Sequence, residues 1–168
     1  MNVKNKKHNL DLYNIILILS RNIFFYEKMK LPDTFETRIY LMFIHFSILM
    51  IITKKKGSKF DQTEYDKFLN KIEYNLRESG FGDVTVNSKM KELNKILYDI
   101  LLKLEIKNND KIFLFKLNQN LIKKYFVGFN NTNKTNFNEF EAYFKEFYDY
   151  CFELTLENML KDLKNFIY

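Results

Sequence analysis

The stretch PDTFETRIYLMFIHFSILMIIT, residues 32–53, decides the fold. Pro32 closes a gap and introduces a helix, since its ring cannot continue one from before. Asp33 with Glu36 three residues later reads as a capping-box variant, with carboxylates at the positive helix end. From Ile39 to Ile52 only His45 and Ser47 interrupt the apolar residues. A helix over about 33–53 is therefore apolar nearly all round and belongs at the centre of a fold. A bilayer span needs about 20 apolar residues, so this shorter run reads as a core helix.

Working outward, the same 3–4 spacing recurs. Tyr13, Ile16, Leu17, Phe24 and Phe25 mark a first helix over about 10–28, with Asn9 as its cap. Asp61 and Glu64 repeat the capping pattern before a third, about 62–79, striped by Tyr65, Phe68, Leu69, Ile72 and Leu76. Gly80 stands where a left-handed C-terminal cap belongs. After a loop to Asn87, Met90 to Leu104 mark a fourth helix, and Phe113 to Ile122 a fifth over about 110–126. The Asn- and Thr-rich residues 128–138 read as a long loop. A helix restarts at Asn136 and shifts its stripe near Thr155, which predicts a break there. The fold class is all-α, a single-domain bundle of six or seven helices over 10–168 behind a disordered basic tail, 1–9.

Composition agrees. Among 168 residues there are four Gly and one Pro, too few breakers for an all-β chain. One Cys excludes an internal disulfide framework. The net charge of +6 favours anionic partners such as RNA or phospholipid headgroups. Of 27 cations only Arg21, Arg38 and Arg77 are arginine. A general basic surface is thus built from lysine, above all Lys54, Lys55, Lys56 and Lys59 around Gly57. Positions that kept Arg call for its planar fork.

Catalytic chemistry is hard to find. His8 and His45 have no metal-ligand spacing, and His45 reads as a buried histidine with a hydrogen-bond partner. Cys151 lies among aromatics and reads as a core residue. Gly80-Phe81-Gly82 follows a helix, whereas a dinucleotide loop must follow a strand. No catalytic residue, metal or cofactor is expected.

The rare residues gather in three blocks. The first holds Arg21 with Phe25-Tyr26. The second is Pro32-Asp33-Thr34 with Arg38 and His45. The third is Leu76-Arg77-Glu78-Ser79-Gly80-Phe81-Gly82-Asp83. This pattern resembles the ubiquinol–cytochrome c chaperone family over about residues 11–105. Tyr98-Asp99 departs from a Gly-Arg common there, and no clear likeness extends past 106.

The resemblance implies a non-enzymatic assembly factor. It would bind newly made cytochrome b and help it join ubiquinol–cytochrome c reductase, in the cytoplasm and peripheral to the inner membrane. Related chaperones work with a small partner protein near the ribosome exit. The Lys54–Lys59 loop and tail lysines could then touch ribosomal RNA or anionic lipid, with no role for DNA. A basic helical RNA- or ribosome-binding module without a haem-protein client is the alternative. Physically, Arg38 and His45 share a stripe, and Glu78 and Asp83 are the expected acceptors for a bidentate Arg38. Such a pairing would either lock the second helix onto the 80–83 turn or line a polar groove for a client.

Overall fold

The computed structural model describes residues 11–106, 114–129 and 134–168, with the side chains of 134 and 135 excepted. The expected tail 1–9 and the Asn9 cap lie outside the described residues. Among the described residues seven α-helices build an all-α bundle: α1 (Leu12–Ser20), α2 (Phe35–Lys55), α3 (Gln62–Glu78), α4 (Asp83–Lys103), α5 (Gln119–Tyr125), α6 (Lys134–Glu153) and α7 (Leu156–Asp162). The sequence led to the same class.

α2 is the central helix. α1, α4 and α6 all pack on it, and residues 41–49 are buried without a break. It is long and apolar enough to cross a membrane, yet 67% of that stretch is buried inside the molecule. That burial marks a core helix. Its cap is Thr34, not Asp33: the Thr34 hydroxyl accepts from the Thr37 N–H at 3.2 Å. Asp61 caps α3 as expected. Gly80 takes the left-handed φ of 89° that the turn after α3 requires.

Besides α6, which begins at Lys134 inside the expected 128–138 loop, three boundaries differ from the sequence reading. The expected helix over 10–28 stops at Ser20 and resumes as a π-helical turn, Phe24–Lys28. Side chains compete with the backbone there: Ser20 Oγ donates to the Leu17 carbonyl, and Asn22 accepts from the Phe24 N–H. The wider turn places both Phe24 and Phe25 inside. It ends on Lys30 with φ 56°, while the Leu31 N–H reaches back to the Phe25 carbonyl. Lys30 thus fills a place usual for glycine.

α4 begins at Asp83, ahead of the expected loop end. Its stripe includes the fully buried Val86, in register with Met90, Leu93, Leu97 and Ile100.

The expected fifth helix shortens to Gln119–Tyr125, capped by Asn118; its first residues lie outside the described set. Residues 114–117 alternate instead, with Phe115 and Leu117 buried and Leu114 and Lys116 exposed. That is a strand's period. An isolated antiparallel bridge joins Leu117 to Glu105. The break near Thr155 is real, and Thr155 caps α7.

Candidate client-binding site

The first two motif blocks meet. Tyr26 donates from its hydroxyl to the Ser20 carbonyl at 2.8 Å, closing the break after α1. Burial, and then the Asp33 charge, pushes the Tyr26 phenol up to about 12. Asp33 lies 3.4 Å from Arg38 Nε, which also donates to the Thr34 carbonyl at 3.3 Å. Pro32 is exposed beside them. Arg21 is exposed at the C-terminal cap of α1.

The third block stands apart, and this corrects the expected Arg38 pairing. Arg77, not Arg38, reaches Asp83, and it also holds Glu73 at 2.8 Å. Both Glu73 and Asp83 raise the Arg77 pKa. Asp83 stands across the turn from Arg77, whereas Arg38 finds Asp33, the residue just before its own helix cap. Glu78 is exposed at the end of α3, Leu76 is buried in the core, and Gly82 caps α4. The 76–83 block therefore staples α3 to α4 across a tight turn.

His45 is wholly buried. Its Nδ1 pairs with the Leu41 carbonyl at 2.7 Å and its Nε2 with the Tyr143 hydroxyl at 2.9 Å. Phe25, Phe144 and Phe147 complete its surround. Desolvation pulls its pKa down to about 4, so the ring is neutral near pH 7. It donates one proton to Leu41 and accepts one from Tyr143. This is the structural histidine expected from the sequence, and its partner lies on α6. Among the described residues no three His, Cys, Asp or Glu side chains gather as a metal site.

The lysine loop divides, and half of the expected basic surface is lost. Lys55 pairs with Glu105 at 2.8 Å and donates to the Tyr148 hydroxyl, with both ionic side chains 20% exposed. Lys56 donates to the Leu154 carbonyl at the end of α6 and lies over the Phe152 ring. The bundle draws both inward because α6 ends beside α2 and its last carbonyl needs a donor. Lys54 and Lys59 remain exposed.

An open cleft of ≈390 Å³ lies against the second block. Pro32, Thr34 and Thr37 form one wall, and Lys124, Tyr125 and Val127 the other. Tyr40 sits between them, 5.3 Å ring to ring from Tyr125 and 6.2 Å from Phe126. The second wall is held from α4. Asp99 accepts from Lys103, Lys124 and Tyr125, and the same three donors hold its carboxyl well below the usual range. Aromatic faces with hydroxyls and charges at the rim suit a polypeptide segment.

Sequence reasoning missed Tyr40, Asp99, Lys124 and Tyr125. The signal was Tyr98-Asp99 itself, a departure from the usual pattern that here positions a wall.

Comparison with curated proteins and with solved structures found no match. A known family, described as ubiquinol-cytochrome C chaperone, matches residues 27–135. The matched stretch starts after Arg21 and runs well past residue 106, so it is shifted from the likeness read in the sequence. It takes in the Pro32–Arg38 block, the Leu76–Asp83 staple, Asp99 and both walls of the cleft. Covering well over half of the 168 residues, that match means that the chain belongs to the ubiquinol-cytochrome C chaperone family.

Proposed function

We propose that this protein is an assembly chaperone for ubiquinol–cytochrome c reductase and that its client is newly made cytochrome b. The observation that carries the reading is the cleft. Pro32 and Thr34, from the motif that enters the central helix, form its rim within the family-matched stretch. A client segment held there is shielded until haem and partner subunits cover it. The reading needs no catalytic step. It sets the protein at the cytoplasmic face of the inner membrane, where the net charge of +6 favours contact with anionic headgroups.

A pull-down from the native host, with the membrane fraction retained, tests this. Cytochrome b peptides are expected among the captured proteins, and a deletion strain should lose assembled reductase while other respiratory complexes persist. Normal cytochrome b levels in that strain would sink the reading. The RNA- or ribosome-binding alternative loses support because Lys55 and Lys56 are engaged inside the bundle. Steeply salt-dependent RNA binding across unrelated sequences would revive it.

A further inference from the structure

The open cleft at the start of α2 holds unused acceptors. Glu36 lines it, is exposed, and makes no ion pair or hydrogen bond among the described residues. Tyr40, between the walls, has a hydroxyl that is likewise without a hydrogen-bond partner among the described residues. Burial, and then the charges of Glu36 and of Glu92 on α4, push the Tyr40 phenol pKa up, so both carboxylates act on that hydroxyl. Glu92 too makes no ion pair among the described residues. On the facing wall α5 ends at Tyr125. The carbonyls of Lys123, Lys124 and Tyr125 accept no backbone N–H among the described residues, and the end of a helix carries negative partial charge.

The cations beside these acceptors are spent elsewhere. Lys124 donates to Asp99 at 2.6 Å and lies 5.0 Å over the Tyr125 ring. Tyr125 gives its own hydroxyl proton to Asp99. Arg38 turns to Asp33 and to the Thr34 carbonyl. A chain of net charge +6 thus leaves Glu36 and the Tyr40 hydroxyl unanswered at an opening. Around them the surface is apolar: Val127 is 75% exposed, and Pro32 is exposed on the opposite wall.

We propose that the cleft reads an arginine of its client, the guanidinium donating to the Glu36 carboxylate and the Tyr40 hydroxyl. A guanidinium has five donors, no acceptor and a permanent charge, which matches a site of acceptors. Its aliphatic stem lies along apolar surface while the head stays polar. Pro32 and Val127 leave apolar surface that a bare cation does not cover, so the occupant is a polypeptide segment with an aliphatic residue next to the arginine. The proposal rests on the chaperone reading only in taking that segment to belong to a client protein.

The test uses the full chain and no cytochrome b, so its failure leaves the cytochrome b reading standing, and the reverse also holds. The probe is the peptide acetyl-Ala-Leu-Arg-Leu-Ala-amide, titrated while the amide resonances of the protein are followed. Shifts should centre on Tyr40 and Val127. Citrulline in place of the arginine keeps the shape and removes the charge, and should weaken binding about tenfold. Glu36→Gln should weaken the arginine peptide about fivefold and leave the citrulline peptide unchanged. Glu157→Gln, which removes an exposed carboxylate on α7, should leave both peptides unchanged.

Equal binding of the arginine and citrulline peptides overturns the proposal. That contrast needs only the parent protein, so it stands even if a variant fails to fold. Shifts centred away from the cleft overturn it as well. So does an equal loss in Glu36→Gln and Glu157→Gln, which would reduce the effect to overall charge. N-acetylarginine amide binding as tightly as the peptide would assign the cleft to a small cation and overturn the polypeptide occupant.

Discussion

The two ends of α2 are built on opposite plans. At its N-terminal end the charges are partly exposed, Arg38 answers a carboxylate one turn back, and a cleft stays open. At its C-terminal end Lys55 and Lys56 reach across to Glu105, Tyr148 and the end of α6, and the surface closes. Rare residue types mark the open end, and the chain's commonest cation marks the closed one. The rare residues of the second block thus shape the open end, while at the closed end ordinary lysines tie α2 to distant segments. A charge that is half-buried and paired supports the fold; one at a rim is free to meet a partner.

Both ends hang from the same buried middle, so the heaviest test falls on His45. Its folded pKa is lowered to about 4 from 6.5. Between those values the unfolded chain binds the proton and the folded chain does not. Stability is thus fully present above about pH 6.5 and is lost as pH falls toward 4. The gap corresponds to about 3 kcal/mol. Denaturant melts across that window should show it, and His45→Gln should flatten the difference. An unchanged slope in the variant would mean that His45 does not titrate in this window.

Next comes the closed end. Lys55→Ala strands Glu105 in a half-buried place and should cost about 2 kcal/mol in urea melts. Lys54→Ala, at an exposed neighbour, should stay within about 0.5 kcal/mol. Equal losses would erase the contrast between the two lysines.

A smaller effect of opposite sign is expected just before the open end. Lys30 holds φ 56°, a conformation that costs an L-residue about 1 kcal/mol. Lys30→Gly should raise the melting midpoint by a matching amount; a lower midpoint would show that the Lys30 side chain contributes more than its backbone costs.

The smallest effect concerns Arg38. It is 35% exposed and makes one long ion pair, so Arg38→Lys should change stability by less than about 0.5 kcal/mol. If the open end serves recognition, the same variant lowers client capture in a pull-down. A large stability loss would put Arg38 on the same footing as Lys55.

What was legible in the sequence was local. The Asp61 cap, the left-handed Gly80, the break at Thr155 and the stripe of α4 each follow from a few neighbouring residues. The burial of His45 followed from its place in an apolar run. Its partner did not, because Tyr143 is 98 positions away and a hydroxyl can be paired in many ways. The same holds for Lys55, whose partner Glu105 is 50 positions away. Arg38 and Arg77 had the same set of carboxylates in view, and only the geometry of the turn assigns Asp83 to Arg77. Residues 114–117 misled for a different reason. Phe113, Leu114, Leu117, Leu121 and Ile122 fit a helical spacing on paper, and four residues are too few to reveal the alternation that Phe115 and Leu117 obey.

α5 has seven residues, whereas a helix shorter than about 12 residues is marginal alone in water. One wall of the cleft is therefore a dependent part, kept in shape by the Asp99 carboxylate and by ring contacts with Tyr40. Such a part can be retuned by inheritance without disturbing the bundle. Changes at Asp99, Lys124 or Tyr125 alter the width and charge of the opening, while the buried residues of α2 keep the chain folded. If the cleft holds the client, its specificity would be written in a few positions on α5 and on the facing stretch of α4, and the deep core would record only descent.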